Sequence, residues 1–131
     1  MRLHTFRPLF RVSKTLQKLL PGISLDKILV TAQYLEYDGT PKMGSVVFTP
    51  STVLIDQAAR QIFTPKTYTA ILDANGQIAI NLPASDDPDL KPLDVMRYRV
   101  QENIVDGRTM NSIKIPYSAL ALGYDLSLIT T

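Results

Sequence analysis

The strongest constraint in this sequence is a pair of alternating apolar and polar runs joined by Asn75-Gly76. Residues 66–73 place Tyr68, Ala70 and Leu72 on one face, and residues 77–82 set Ile78, Ile80 and Leu82 against Gln77, Ala79 and Asn81. A repeat of two marks a strand buried on one side, because successive Cβ atoms point to opposite faces of a sheet. Asn-Gly favours the type I′ turn, whose twist matches that of paired strands, so the spacing predicts a β-hairpin.

The pattern recurs along the chain. Ile28, Val30, Ala32 and Tyr34 alternate with Leu29, Thr31, Gln33 and Leu35, Asp38-Gly39-Thr40-Pro41 is turn chemistry, and residues 46–49 form a second strand that Pro50 limits. Met96, Tyr98 and Val100 alternate with Arg97, Arg99 and Gln101 before Asp106-Gly107 turns the chain into residues 108–115, a second hairpin. Residues 52–63 read as a short edge strand, a loop and another short strand. About seven short strands punctuated in this way predict an all-β domain over residues 28–116, an antiparallel immunoglobulin-like β-sandwich.

Charge divides the chain differently. The formal net charge is +2, but residues 1–28 carry six basic side chains against Asp26 alone, a net +5, while residues 29–131 carry eight basic and eleven acidic ones, a net −3. Residues 1–27 therefore form a basic arm on a mildly acidic body. Within the arm Val12, Leu16, Leu19 and Leu20 recur at helical spacing, a short amphipathic helix that Pro21-Gly22 ends. So short a helix is marginal alone in water and needs a surface, either its own domain or a neighbouring subunit.

The docking reading assigns Phe6, Phe10, Leu16, Leu19 and Leu20 as anchors and Arg7, Arg11, Lys14 and Lys18 as charges that orient the arm on an acidic neighbour. Nucleic acid is the competing partner for a basic arm. Interleaving of the charges with Leu, Phe and Val, together with the acidic body, favours protein over nucleic acid or a membrane surface. No run approaches the ~18 apolar residues of a membrane span. Charges interrupt every apolar run before Leu20, which argues against a secretory signal, although an Arg-rich, acid-poor N-terminus also resembles an organelle transit peptide. At the other end, residues 117–131 form an apolar extension whose Leu120, Leu122, Leu126 and Leu128 have to be covered, by the chain's own sandwich or by another chain, the second being favoured.

Little in the sequence supports catalysis. With no Cys, thiolate chemistry, disulfides and Cys-based zinc sites are excluded, and a single His, His4, leaves scant material for a triad or a multi-His metal centre. Asp86, Asp87 and Asp89 in the 84–92 segment could offer oxygen ligands to Ca²⁺, but their spacing is not that of an EF-hand. The expectation is a solvated inter-strand loop whose carboxylates make local turns. Phosphate-binding and hydrolase motifs are missing from the sequence, which points away from an enzyme and from any cofactor. Tyr68, Tyr98, Tyr117 and Tyr124 are candidate glycan-contact residues, each offering a stacking face to sugar.

Several segments together resemble the small immunoglobulin-like or prealbumin-like β-sandwich domain of minor tail proteins from long-tailed actinobacterial phages. They are Tyr37-Asp38-Gly39-Thr40-Pro41 with Gly44-Ser45-Val46-Val47-Phe48-Thr49-Pro50, Leu72-Asp73-Ala74-Asn75-Gly76, and Leu82-Pro83-Ala84-Ser85-Asp86-Asp87-Pro88-Asp89-Leu90-Lys91-Pro92. Tyr98-Arg99-Val100-Gln101-Glu102 and Gly107-Arg108 continue the likeness, which covers about residues 28–129 and leaves the arm outside. It implies a virion component of the tail tip or baseplate, assembled in the host cytoplasm. Such a component builds or anchors fibres through contacts with other tail proteins and with copies of itself, and its outer loops are candidates for contact with host cell-envelope glycan. Tail parts are symmetric, so a homo-oligomer with heterologous contacts is expected.

Overall fold

A computed structural model describes residues 25–130. The amphipathic helix expected at residues 12–20 and the rest of the arm up to residue 24 lie outside the described residues.

The described chain is all-β, and nearly all its strand pairs are antiparallel. Strand β1 (Lys27–Gln33) buries Ile28, Val30 and Ala32 and turns Leu29, Thr31 and Gln33 outward, as its period of two requires. Strands β2 (Ser45–Pro50), β3 (Leu54–Asp56), β4 (Gln61–Phe63), β5 (Tyr68–Ile71), β6 (Gln77–Pro83), β7 (Tyr98–Asn103), β8 (Thr109–Ile113) and β9 (Tyr124–Asp125) follow. One sheet has the order β6-β1-β9, a second has β5-β2-β7-β8, and β3 and β4 form a separate two-stranded ribbon. Residues 52–63 are thus two short strands around a loop, as the sequence suggests.

The inward faces of both sheets meet in one core. Ile28, Val30 and Leu82 come from the first sheet, Val46, Phe48, Tyr98 and Val100 from the second, and Leu54 reaches in from the ribbon. The 95–115 hairpin forms as expected, β7 pairing with β8 across Asp106-Gly107, with a shift in register between Tyr98 and Val100.

The Asn75-Gly76 unit is not a hairpin between neighbours. Strand β5 pairs with β2, from Ser45↔Ile71 to Phe48↔Tyr68, while β6 pairs with β1 over its whole length, from Lys27↔Pro83 to Gln33↔Gln77. The chain therefore changes sheet at this turn. Its geometry differs as well: Gly76 N–H donates to Asp73 O at 2.9 Å, Asp73 N–H donates to Gln77 O at 3.0 Å, and positive φ falls on Gly76 (74°) but not on Asn75. That is a type I turn with a glycine bulge rather than type I′. Asp73 Oδ1 reinforces it by accepting from Asn75 and Gln77 N–H. Turn residues specify a reversal but not the partners, and seven register pairs of apolar-faced strand on β1 outweigh a local pairing.

The acidic 84–92 segment is not a solvated loop either. Ala84, Ser85, Asp87 and Leu90 are buried. Ser85 N–H donates to Ile115 O at 2.7 Å, Ile115 N–H returns to Ser85 Oγ at 3.0 Å, and Tyr117 N–H donates to Asp86 Oδ1. The segment carries the chain from one sheet to the other across the end of the core, so its backbone has to be covered and its polar groups satisfied. One expected feature does hold: Asp87 Oδ1 accepts from Asp89 N–H in a local turn.

Candidate functional site

Two grooves sit at opposite ends of β1. The first, about 370 Å³, opens beside the start of β1, between the ribbon and the second sheet. Leu25, Leu54, Ile62, Phe63 and Pro65 make its walls apolar, and Lys27 and Lys66 give it basic side chains. Tyr68, half-buried on β5, lines this groove with Lys66 Nζ 5.7 Å from its ring centroid, a cation–π distance. Tyr98 reaches the same groove only as part of its floor. It is fully buried and its phenol is committed to the Pro83 carbonyl, so it is withdrawn from the candidate glycan contacts. Burial pushes the Tyr98 hydroxyl far above the usual tyrosine range, which keeps it neutral.

Tyr117 and Tyr124 are not part of this groove. Tyr117 opens a 3₁₀ turn (Tyr117–Ala119), where its phenol donates to Asp26 Oδ2 at 3.3 Å. Tyr124 lies half-buried in β9, paired with Val30 in the only parallel ladder among the described strands.

The C-terminal leucines divide. Leu126 is only 1% exposed and belongs to the core, because β9 and the 3₁₀ turn Leu126–Leu128 lay the tail along β1. It therefore cannot be a docking residue, and Leu120 packs half-buried against the same core. Leu122, at 96% exposure, and Leu128 remain outward. The arm residues Phe6, Arg7, Phe10, Arg11, Lys14, Leu16, Lys18, Leu19 and Leu20 lie outside the described residues.

The second groove, about 530 Å³, lies beyond the far end of β1, between residues 34–37 and the β7–β8 turn. Glu102 is buried in its floor. Arg108 meets it with Nε on Oε1 at 2.7 Å and Nη2 on Oε2 at 2.8 Å, and Tyr34 OH donates to Oε2 at 2.6 Å. Burial opposes ionisation of Glu102, but these hydrogen bonds outweigh it and hold the carboxyl below its ordinary range. Tyr34 is pushed far up, first by burial and then by the carboxylate beside it. Arg108 Nη1 also donates to Ile129 O at 2.9 Å, which fastens the C-terminal segment to the β7–β8 hairpin.

Above that floor the groove is apolar and acidic. Tyr37 is fully exposed, Val105 is 73% exposed, and Leu35 is half-open beside them. Glu36 and Asp106 line the groove, and Asp38 stands in the adjoining turn, accepting from Thr40 N–H and Oγ1. Lys42 is held by Glu36 at 3.1 Å and donates to Val105 O at 3.2 Å. The sequence carries one sign of this site: Glu102 continues the inward series Met96, Tyr98 and Val100, and Arg108 follows six residues later across a two-residue turn signal.

Among the described residues no cluster of three or more His, Cys, Asp or Glu is arranged to hold a metal ion, and no helix is long and apolar enough to cross a membrane. No protein-family model matches the chain, and no curated protein matches it.

Proposed function

We propose that the chain is a structural component of a bacteriophage tail, located in the virion, which docks to neighbouring tail subunits and helps to build or anchor fibres. The observation that carries this reading is the placement of exposed apolar side chains. Tyr37, Met43 and Val105 stand out at one end of the body, and Leu122 and Leu128 on the C-terminal segment. The basic arm and acidic body supply complementary charge for contacts between subunits.

The strand order supports a two-layer β-sandwich of the prealbumin-like kind. With the β3–β4 ribbon set aside, the strands in chain order can be lettered A to G, and the sheets read D-A-G and C-B-E-F. An antibody constant domain instead groups A-B-E-D against C-F-G, with its first two strands in one sheet. The segments that resemble phage minor tail domains include the 84–90 crossing, where burial of Asp87 and Leu90 gives part of its D-D-P-D-L sequence a structural reason.

The test is a density map of intact particles. The expected result is this body in the tail in symmetric copies, with its apolar end against a neighbour. Its absence from purified virions would overturn the proposal.

A second reading, a glycan-binding module for host cell-wall polysaccharide, draws on Tyr68 beside Lys66 in the first groove. It predicts that titrating the protein with cell-wall polysaccharide gives saturable binding that Tyr68→Ala removes. A flat titration rules it out.

A further inference from the structure

We propose that the groove between Tyr37 and Val105 receives the N-terminal arm, residues 1–24, of a second copy of this chain. The inference rests on the reading of the arm as a docking element and names the surface that receives it.

Charge separates the two grooves. The arm is strongly basic, and the groove at the start of β1 carries Lys27 and Lys66 with no acidic residue in its lining. The Tyr37–Val105 groove has the opposite sign. Glu102 and Glu36 neutralise Arg108 and Lys42, and Asp106 in the lining and Asp38 in the adjoining turn add two further negative charges. Its exposed Tyr37, Leu35 and Val105 are apolar partners for an arm in which Phe and Leu alternate with Arg and Lys.

Geometry sets which ends of two copies meet. The described chain starts at Leu25 and enters β1 at Lys27, whereas the acidic groove lies past Gln33, where β1 ends. Seven strand residues separate the two ends, on the order of 20 Å at the usual rise. An arm leaving one end and a receptor at the other bring two different surfaces of the chain together, which generates a ring or an open stack when the copies point the same way and a two-fold pair when they lie antiparallel and exchange arms.

The absence of native Cys makes the test clean. Full-length Phe10→Cys and Val105→Cys variants, mixed and oxidised, should give a disulfide-linked heterodimer well in excess of either homodimer. The yield should fall several-fold in about 1 M salt, where the Debye length shrinks to roughly 3 Å. The doubly substituted chain should give covalent dimers or a ladder of higher oligomers. An internally linked monomer would instead place the arm on its own body and overturn the proposal. So would preferential linkage of Phe10→Cys to Ile62→Cys in the other groove, or no linkage at all.

Failure here is distinguishable from failure of the tail reading. If Arg7→Glu/Arg11→Glu protein no longer enters particles while no cross-link to Val105→Cys forms, only the groove is wrong. Links between copies of a chain absent from virions would leave the groove standing and remove the tail.

Discussion

The phenol of Tyr98 donates to the carbonyl of Pro83 at 2.6 Å, and this bond joins the two sheets, since Tyr98 begins β7 and Pro83 ends β6. Tyr98 has no exposed surface, so the hydroxyl serves the core rather than a ligand. Tyr98→Phe leaves a buried carbonyl without this donor and should cost about 1–2 kcal/mol. Urea unfolding monitors it, and an unchanged midpoint would show that water or a shifted backbone replaces the bond.

The Glu102 and Arg108 pair should be visible in acid. Because folding holds the Glu102 carboxyl below its ordinary value of 4.5, its contribution is complete above that value and is lost as pH falls through the depressed one. Unfolding midpoints should therefore drop as the pH falls below about 4.5, and Glu102→Gln should flatten that slope. Asp125 leaves a residual slope, since hydrogen bonds from Ser127 and Thr31 overcome its burial and lower its carboxyl as well. Arg108→Ala removes the guanidinium bonds from a buried carboxylate that keeps Tyr34 OH and the residue-108 backbone N–H, and should cost about 1.5–3 kcal/mol near neutral pH.

Two glycines with similar backbones should respond differently to alanine. Gly39 and Gly76 both have positive φ, 88° and 74°. A Cβ on Gly39 meets nothing, so only the left-handed conformation is penalised, at about 1 kcal/mol. A Cβ on Gly76 collides with the Tyr34 carbonyl, in the place where Tyr34 N–H donates to Gly76 O at 2.8 Å. Gly76→Ala should cost at least about twice as much as Gly39→Ala by thermal unfolding.

The C-terminal segment offers a matched pair of leucines. Leu126→Ala empties part of the core and should cost about 3 kcal/mol, while Leu122→Ala at an exposed position should stay within about 0.5 kcal/mol. Equal effects would mean that the tail does not lie along β1 as described.

Strand positions and inward faces were legible from the sequence because burial on one face writes a period of two into the residues themselves. Ile28, Val30 and Ala32, or Met96, Tyr98 and Val100, announce their orientation without reference to any partner. Glu102 was harder to find. It occupies an inward position, but only Arg108 across the β7–β8 turn and Tyr34 from beyond the end of β1 make a buried carboxylate tolerable there.

Partner choice was written nowhere locally. The Asn75-Gly76 reversal is present, yet whether β5 meets β6 depends on β1 and β2, which lie tens of residues away. The fate of the leucines near the C-terminus was equally undetermined, since Leu122 and Leu126 look alike until β9 docks beside β1 and buries one of them. The sequence by itself determined the all-β class, most of the strands, the places where the chain reverses and the split into a basic arm and an acidic body. The tertiary structure alone decided which strands share a sheet, which tyrosine is core, and where apolar and acidic side chains gather into a groove. Those properties depend on contacts between residues far apart in the chain, and such contacts leave no periodic trace in either partner.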